Sequence, residues 1–333
     1  MSKYKLTIDL ATLNHLGIGL YSNIPAVLSE AVANSWDADA RVVDIDIDTK
    51  GKKIVIRDDG WGMSEGEIND RFLKVGYRKR EDKAAKIPEG RQPMGRKGIG
   101  KLALFSVAKR IEVHSVKLDV GGQVAERNGF IMHSDHIEKS IKAGRPDYEP
   151  ESVDVKQVKI KKGTEIVLSE LNKDADVAEA FLRRRLSRRF SVIGKAHNFN
   201  VRINGKPITV EDRDYSSRME YIWYAGQDGK AFADQCTNVL RKEVINGMVD
   251  EANGFKITGW VGTISEHKSV EEGNNGIVIL ARGKVIHENI LPDLKEGRVF
   301  SKYIMGELRA DFLDLDNSED IATSDRQSVK ETD

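Results

Sequence analysis

Between residues 43 and 48 the chain alternates without a break, Val43-Asp44-Ile45-Asp46-Ile47-Asp48. A period of two predicts a half-buried strand. Gly51 turns the chain, and Lys53-Ile54-Val55-Ile56-Arg57 predicts a second strand that closes a hairpin. Upstream, Ala26, Val27, Ala31 and Val32 recur at mixed spacings of three and four, which predicts a helix over residues 24–33. Further helices are expected at 65–75 and at 98–109, the latter carrying apolar Leu102, Leu104, Phe105 and Val107. Strands are expected at 111–116, 153–160 and 164–168, followed by a basic amphipathic helix at 181–190. Beyond residue 200 the pattern is strand-rich, at 200–203, 221–224, 255–264 and 277–280. This is an α/β chain, with a loose boundary near 195–215 that divides it into 1–200 and 201–333.

The pattern lapses at 77–97. This stretch holds Arg78, Lys79, Arg80, Lys83, Lys86, Arg91, Arg96 and Lys97 with Pro88 and Pro93 and few apolar residues, and reads as a mobile loop.

Composition narrows the function classes. A length of 333 residues suggests two domains or one large one. Lys plus Arg and Asp plus Glu each number 53, so the net charge is zero. That argues against a dedicated nucleic-acid coat or a polybasic membrane binder and leaves room for local patches. Cys236 is the single cysteine, which excludes an internal disulfide and a multi-cysteine zinc site. The first residues lack the apolar core of a signal peptide, and no uncharged run approaches the ~20 residues of a membrane helix. A soluble cytoplasmic protein is expected, with no membrane partner. The segment 314–333 is polar and acidic and ends abruptly, so a fragment of a longer protein is expected.

Three motifs carry candidate chemistry. In Glu30-Ala-Val-Ala-Asn34-Ser35-Trp36-Asp37-Ala38, Glu30 and Asn34 stand at i and i+4 on one helical face. A carboxylate beside an amide oxygen can polarise water and ligate a hard cation such as Mg²⁺. In Asp58-Asp59-Gly60-Trp61-Gly62-Met63, a carboxylate at a strand end precedes a glycine turn, leaving an acceptor suited to the exocyclic amine of adenine. In Gly95-Arg96-Lys97-Gly98-Ile99-Gly100-Lys101, glycines before a helix expose main-chain N–H groups to anions. Alone, the first is usually a solvated helix face, the second usually a turn, and the third at best evenly balanced with an ordinary loop. A P-loop is rejected, because Leu102 stands where the magnesium-binding Ser or Thr belongs and no strand leads directly in.

Taken in this order, the three motifs resemble the Bergerat-fold or GHKL ATPases: gyrase, the ninety-kilodalton heat-shock chaperones, histidine kinases, MutL and the Microrchidia (MORC) proteins. The E-x-x-x-N-S-x-D-A helix is close to the chaperone and MutL branches. Lys162-Gly163-Thr164-Glu165-Ile166 fits a fourth family element. The resemblance covers roughly residues 20–170. It implies a two-layer α+β sandwich that binds ATP with Mg²⁺ and hydrolyses it slowly. It also implies a lid at 77–97 and an ATP-dependent homodimer that acts as a clamp on DNA or protein, with bacterial, defence-associated ATPases as the nearest analogy.

By position, Glu30 would be the general base, Asn34 the Mg²⁺ ligand and Asp37 a support for the pocket. Asp58 would accept the adenine amine, assisted by Thr164. Gly60, Gly62 and Met63 would shape the pocket floor, and Gly95, Gly98 and Gly100 would wrap the phosphates. Lys101 is a candidate phosphate contact. The second domain would be a transducer-like α/β domain, similar to domain 2 of ribosomal protein S5, with further domains after it. The stretch Ser318–Gln327 is similar to the chaperones' catalytic loop, making Arg326 the candidate for a basic residue returned to the γ-phosphate, with Lys330 as the fallback; a disordered polar tail is the other reading of the same residues.

The rival function is a nucleotide-sensing interaction module without turnover. A histidine kinase is set aside, because only about 23 residues precede the first helix and they hold no phosphoacceptor-helix pair. His133 and His136 lack a nearby cysteine or H-E-x-x-H pattern and are set aside as a metal site. Cys236 reads as a structural thiol. The arginines of the 181–190 helix read as a wet face, with nucleic-acid contact as the alternative. Trp36 reads as packing and Trp61 as a candidate wall of the adenine pocket.

Overall fold

The alternating segment folds as strand β1 (Val42–Asp48) and pairs antiparallel with β2 (Lys53–Asp58), setting Ile45 opposite Ile56 and Ile47 opposite Ile54. The computed structural model describes residues 6–7, 24–96, 98, 100–145, 147–171, 179–194, 197–213, 215–265, 276–292 and 299–316. The chain divides into two units, residues 1–186 with 193–208, and 187–192 with 209–333.

In the first unit the hairpin is joined by β3 (Ala108–Leu118), β4 (Val124–His133), β5 (Glu151–Ser152), β6 (Gly163–Leu171), β7 (Asn200–Ile203) and β8 (Lys206–Pro207). They form one sheet in the order β8-β7-β1-β2-β6-β3-β4-β5. Every pairing is antiparallel except β1 with β7, which run parallel. Strand β7 therefore belongs to this sheet, and the interval 200/201 falls within it.

The two faces of the sheet differ as the alternation requires. Val43, Ile45, Ile54, Ile56, Ile111, Val113, Ile166 and Leu168 are buried. The opposite face carries a ladder of charge. Arg202 donates to both oxygens of Asp44, at 2.5 and 2.7 Å. Arg57 bonds Asp46 at 2.6 Å and also Glu165. His114 lies between Glu165 (Nδ1 to Oε1, 3.0 Å) and Glu112 (Nε2 to Oε1, 2.8 Å). These cross-strand pairs pin register, because a one-residue slip would carry every acid into the apolar layer.

Helix α1 (Ile24–Asp37) is buried along its length except at Glu30 and Asn34. Leu28, Val27 and Val32 are fully buried, each worth about 1.5–3 kcal/mol by removal of apolar surface from water. A helix that hides every side but one polar stripe presents that stripe to something other than core.

Other elements depart from expectation. The helix expected at 65–75 starts as Glu65–Glu67, with a Ser64/Glu67 capping box, and continues as a wider π-turn over Ile68–Phe72. The helix expected at 98–109 is shorter, Gly100–Ala103 followed by Leu104–Val107, because Ala108 already enters β3. The strand expected at 153–160 is not formed. The Asp154 side chain caps a 3₁₀ turn at Val155–Gln157, and the apolar Val153 and Val158 are buried from an irregular segment. Strand β4 and helix α2 (Ser134–Lys142) were not expected, since Val124–His133 gathers its polar residues at Glu126–Asn128 and its apolar ones at Phe130–Met132 and does not alternate. Helix α3 (Glu179–Arg189) follows β6.

The second unit is a further α/β body. Its strands are β9 (Met219–Ala225), β10 (Arg241–Val244), β11 (Thr258–Ile264), β12 (Gly276–Ala281), β13 (Lys284–His287) and β14 (Ile304–Arg309), in the order β10-β9-β11-β14-β12-β13. Helix α4 (Gly226–Gln235) packs on β9 and β11. Phe232 stacks on Trp260 with ring centres 3.8 Å apart, beside buried Ile222, Ile264 and Met305. Cys236 is buried in this core, and burial pushes its thiol pKa up to about 11, as for a structural thiol.

The arginines at the end of α3 do not form a wet face. Arg188 and Arg189 are buried, Arg188 donating to the carbonyl of Arg213 and Arg189 pairing with Glu288. Arg213 in turn bonds the carbonyls of Ser187 and Phe190 and the carboxylate of Glu307. Arg183 donates to the carbonyls of Lys206 and Pro207. Among the described residues, no helix is long and apolar enough to cross a membrane.

Candidate nucleotide-binding site

Asp58 ends strand β2 and is half-buried. Its Oδ1 accepts the main-chain N–H of Gly60 (2.9 Å) and of Thr164 (3.2 Å), and its Oδ2 accepts the hydroxyl of Ser35 (3.1 Å). Burial pushes its pKa up to about 6, against the pull of those three donors. The carboxylate is thus fixed in place and is a stronger acceptor than an exposed one. Gly163 supports the arrangement. It has φ +81, and a side chain there would overlap the carbonyl oxygen of Asp58.

Three sequence elements meet here. Ser35 brings in α1, Asp58 and Gly60 the second motif, and Thr164 the start of β6. Met63 is held from both sides, its N–H by the Ser115 hydroxyl (2.8 Å) and its carbonyl by the Asn128 amide (3.2 Å). Gly62 lies against the main chain of Val116. Trp61 is covered by the Lys86 ammonium, 3.8 Å from its ring centre, which ties the 77–97 loop to the second motif.

The first and third motifs also meet. Gly100 approaches Glu30 so closely that a β-carbon on it would stand 2.5 Å from the Glu30 Oε2. Asn34 is exposed one turn further along α1. The Asp37 carboxylate accepts the N–H groups of Met94 (2.8 Å) and Gly95 (3.0 Å) and so fixes the entry to the glycine segment. The Gly98 carbonyl accepts the N–H of Gly76, joining the two ends of the loop.

Helix α1 has no basic residue in its last turn, although its terminal carbonyls need donors and its dipole favours cations there. The loop supplies both. Lys79 donates to the Asp37 carbonyl at 2.6 Å, and Arg91 donates to the carbonyls of Trp36 (3.1 Å) and Ala40 (2.8 Å). Arg91 is buried with its guanidinium 4.2 Å from the Trp36 ring centre. Across 77–96 no helix or strand forms, yet the segment is anchored on the end of α1.

Lys101 is turned away from the glycines. Its ammonium donates to the carbonyls of Arg71 (2.9 Å) and Lys74 (2.6 Å), and burial pulls its pKa down to about 7. It serves the end of the preceding helical segment. Arg326 and Lys330 lie outside the described residues. Sequence patterns assign no separate role to Ser35, Lys79, Arg91 or Ser115. Ser35 was within reach, since it follows Asn34 in the first motif; the others become partners only through contacts distant in sequence.

Residues 21–164 match the family described as histidine kinase-, DNA gyrase B-, and HSP90-like ATPases. The match supports a GHKL-type ATPase domain over these residues, and with it ATP binding; a further α/β unit follows. Over 332 residues the chain is 41% identical to the "Putative type II restriction enzyme HgiDII" of Herpetosiphon aurantiacus, covering 100% of this chain and 53% of that protein. It is also 29% identical over 194 residues to the chaperone protein HtpG of Coxiella burnetii (strain RSA 331 / Henzerling II), covering 52% of this chain and 28% of the chaperone. The chain thus spans about half the length of HgiDII.

Proposed function

We propose that this chain is the ATP-driven clamp of a larger DNA-handling protein, hydrolysing Mg-ATP slowly. The observation that carries the reading is the Asp58 carboxylate, fixed by Ser35, Gly60 and Thr164 where motifs distant in sequence converge. In this reading Asp58 accepts the adenine amine. Gly98 and Gly100 offer main-chain N–H groups to the phosphates, while the Gly95 N–H is held by Asp37. Glu30, on the exposed stripe of α1 beside Gly100, takes the proton from the attacking water. The exposed amide oxygen of Asn34 is a hard donor that fits Mg²⁺, an ion that keeps several waters and needs few protein ligands. When bound, Mg²⁺ neutralises phosphate charge.

The 77–97 loop is the lid, held on α1 by Lys79 and Arg91. Its closure brings two first units together, and the second unit acts as transducer. Arg326, or else Lys330, supplies the returning charge. The likeness to HtpG supports the clamp. The likeness to HgiDII, by its name a restriction enzyme, supports DNA as the client.

The test is ATP turnover across a range of protein concentrations, for wild type and Glu30→Ala side by side. Turnover per molecule should rise with concentration and vanish in the variant. ATP binding by both proteins with turnover by neither would withdraw hydrolysis and leave a nucleotide sensor.

A further inference from the structure

Away from the nucleotide site, two histidines and a carboxylate converge at the edge of the first sheet. Among the described residues, His133, His136 and Glu151 are the one set of three metal-capable side chains whose ligand atoms all lie within 4.8 Å of one another. The topology brings them together. His133 ends strand β4 and is the N-cap of α2, so His136 follows one turn later. Edge strand β5 pairs with β4 and sets Glu151 opposite Ile131, two residues before His133. The sequence conceals the third ligand because it arrives from another strand.

We propose that His133, His136 and Glu151 form a binding site for a divalent transition metal of the zinc class. Two imidazoles and one carboxylate leave a tetrahedral ion one open position. Nitrogen donors select zinc-like ions over Mg²⁺ or Ca²⁺, which take oxygen. The positions are part-ordered already. The His133 and His136 ring centres lie 4.7 Å apart, and the His136 Nδ1 stands 3.7 Å from the Glu151 Oε1. The N–H of His133 is pinned by the hydroxyl of buried Tyr148 at 3.2 Å. Bonds of about 2.0–2.1 Å would place ligand atoms roughly 3.3 Å apart. Side-chain rotation of the exposed His136 and Glu151 suffices to close the remaining gap. The ion would fasten the start of α2 to the edge strand.

The test uses the full chain without nucleotide and with Mg²⁺ in excess. Co²⁺ is titrated in and followed by its visible absorption and by the thermal midpoint. The wild type should bind one Co²⁺ per chain, with a rise in midpoint, and Zn²⁺ should displace it. His136→Ala and Glu151→Gln should each weaken binding by about tenfold or more. Both residues are exposed, so the metal-free midpoint should stay where it is. Binding that survives both substitutions, or a wild type that takes up no more Co²⁺ than the double variant, overturns the proposal.

Discussion

The carboxylate of Asp37 accepts the main-chain N–H of Gly95 at 3.0 Å, joining residues 58 apart in sequence. The same carboxylate takes the N–H of Met94, and the Asp37 carbonyl takes the Lys79 ammonium. One residue at the end of α1 therefore holds both sides of the basic loop. Asp37→Ala removes two charge-assisted hydrogen bonds and leaves two N–H groups without their acceptor. It should cost about 2–3 kcal/mol of stability. Amide exchange should accelerate first at residues 91–96. A change confined to the core strands would show that Asp37 serves the fold and not the loop.

Gly100 tests the position of Glu30. A methyl group there would meet the Glu30 Oε2, the free end of a flexible side chain, so the carboxylate would move and the backbone would not. Gly100→Ala should fold normally and bind ATP nearly as wild type. Its kcat should fall by about tenfold to a hundredfold, as expected for a misplaced reacting group. Equal losses in ATP affinity and kcat would instead mean that the glycine serves the phosphates directly.

His114 gives the first unit a pH dependence independent of the nucleotide. Its pKa is raised, chiefly by the hydrogen bond to Glu165 and further by Glu112, against the opposing effect of burial. A histidine raised in the folded state stabilises fully below its ordinary pKa of about 6.5, and the contribution is lost as pH rises through the folded value. Denaturant unfolding of wild type and His114→Gln should therefore show a larger gap near pH 6 than near pH 9. A gap independent of pH would remove the charge from the account.

Much of this was readable in the chain. The period of two at residues 43–48 gave the first strand and its polar face, and the Glu30/Asn34 spacing gave the one exposed stripe of α1. Asp58 is legible because its glycine turn stands in order between the Glu30/Asn34 helix and the Gly95–Gly100 segment. What escaped the reading depends on long-range pairing. Strand β4 groups its polar and apolar residues in blocks, Glu126–Asn128 and then Phe130–Met132, so no period of two marks it, and Val153 and Val158 imitate a strand while packing from a turn. The position of Lys101 is not legible in the sequence because the carbonyls that hold it, on Arg71 and Lys74, belong to another element. The α3 arginines show the same limit, since charge that reads as solvated in sequence is used inside the second unit.

The most direct test of the central claim is calorimetric titration of ATP, and of adenosine, into wild type and Asp58→Asn. Asparagine keeps the shape and can still accept from Gly60 and Thr164, so the fold should hold. Asp58 is a carboxylate whose pKa is raised in the folded state, so above about 6 its charge opposes folding. Removing it should not lower stability at neutral pH. Affinity for ATP should fall by about 3 kcal/mol, roughly a hundredfold, as an amide donor replaces the acceptor. Adenosine, which lacks phosphates that titrate nearby, should bind wild type less well as pH drops through about 6. Unchanged ATP affinity in a folded Asp58→Asn protein would contradict the placement of adenine on Asp58, and with it the site described above.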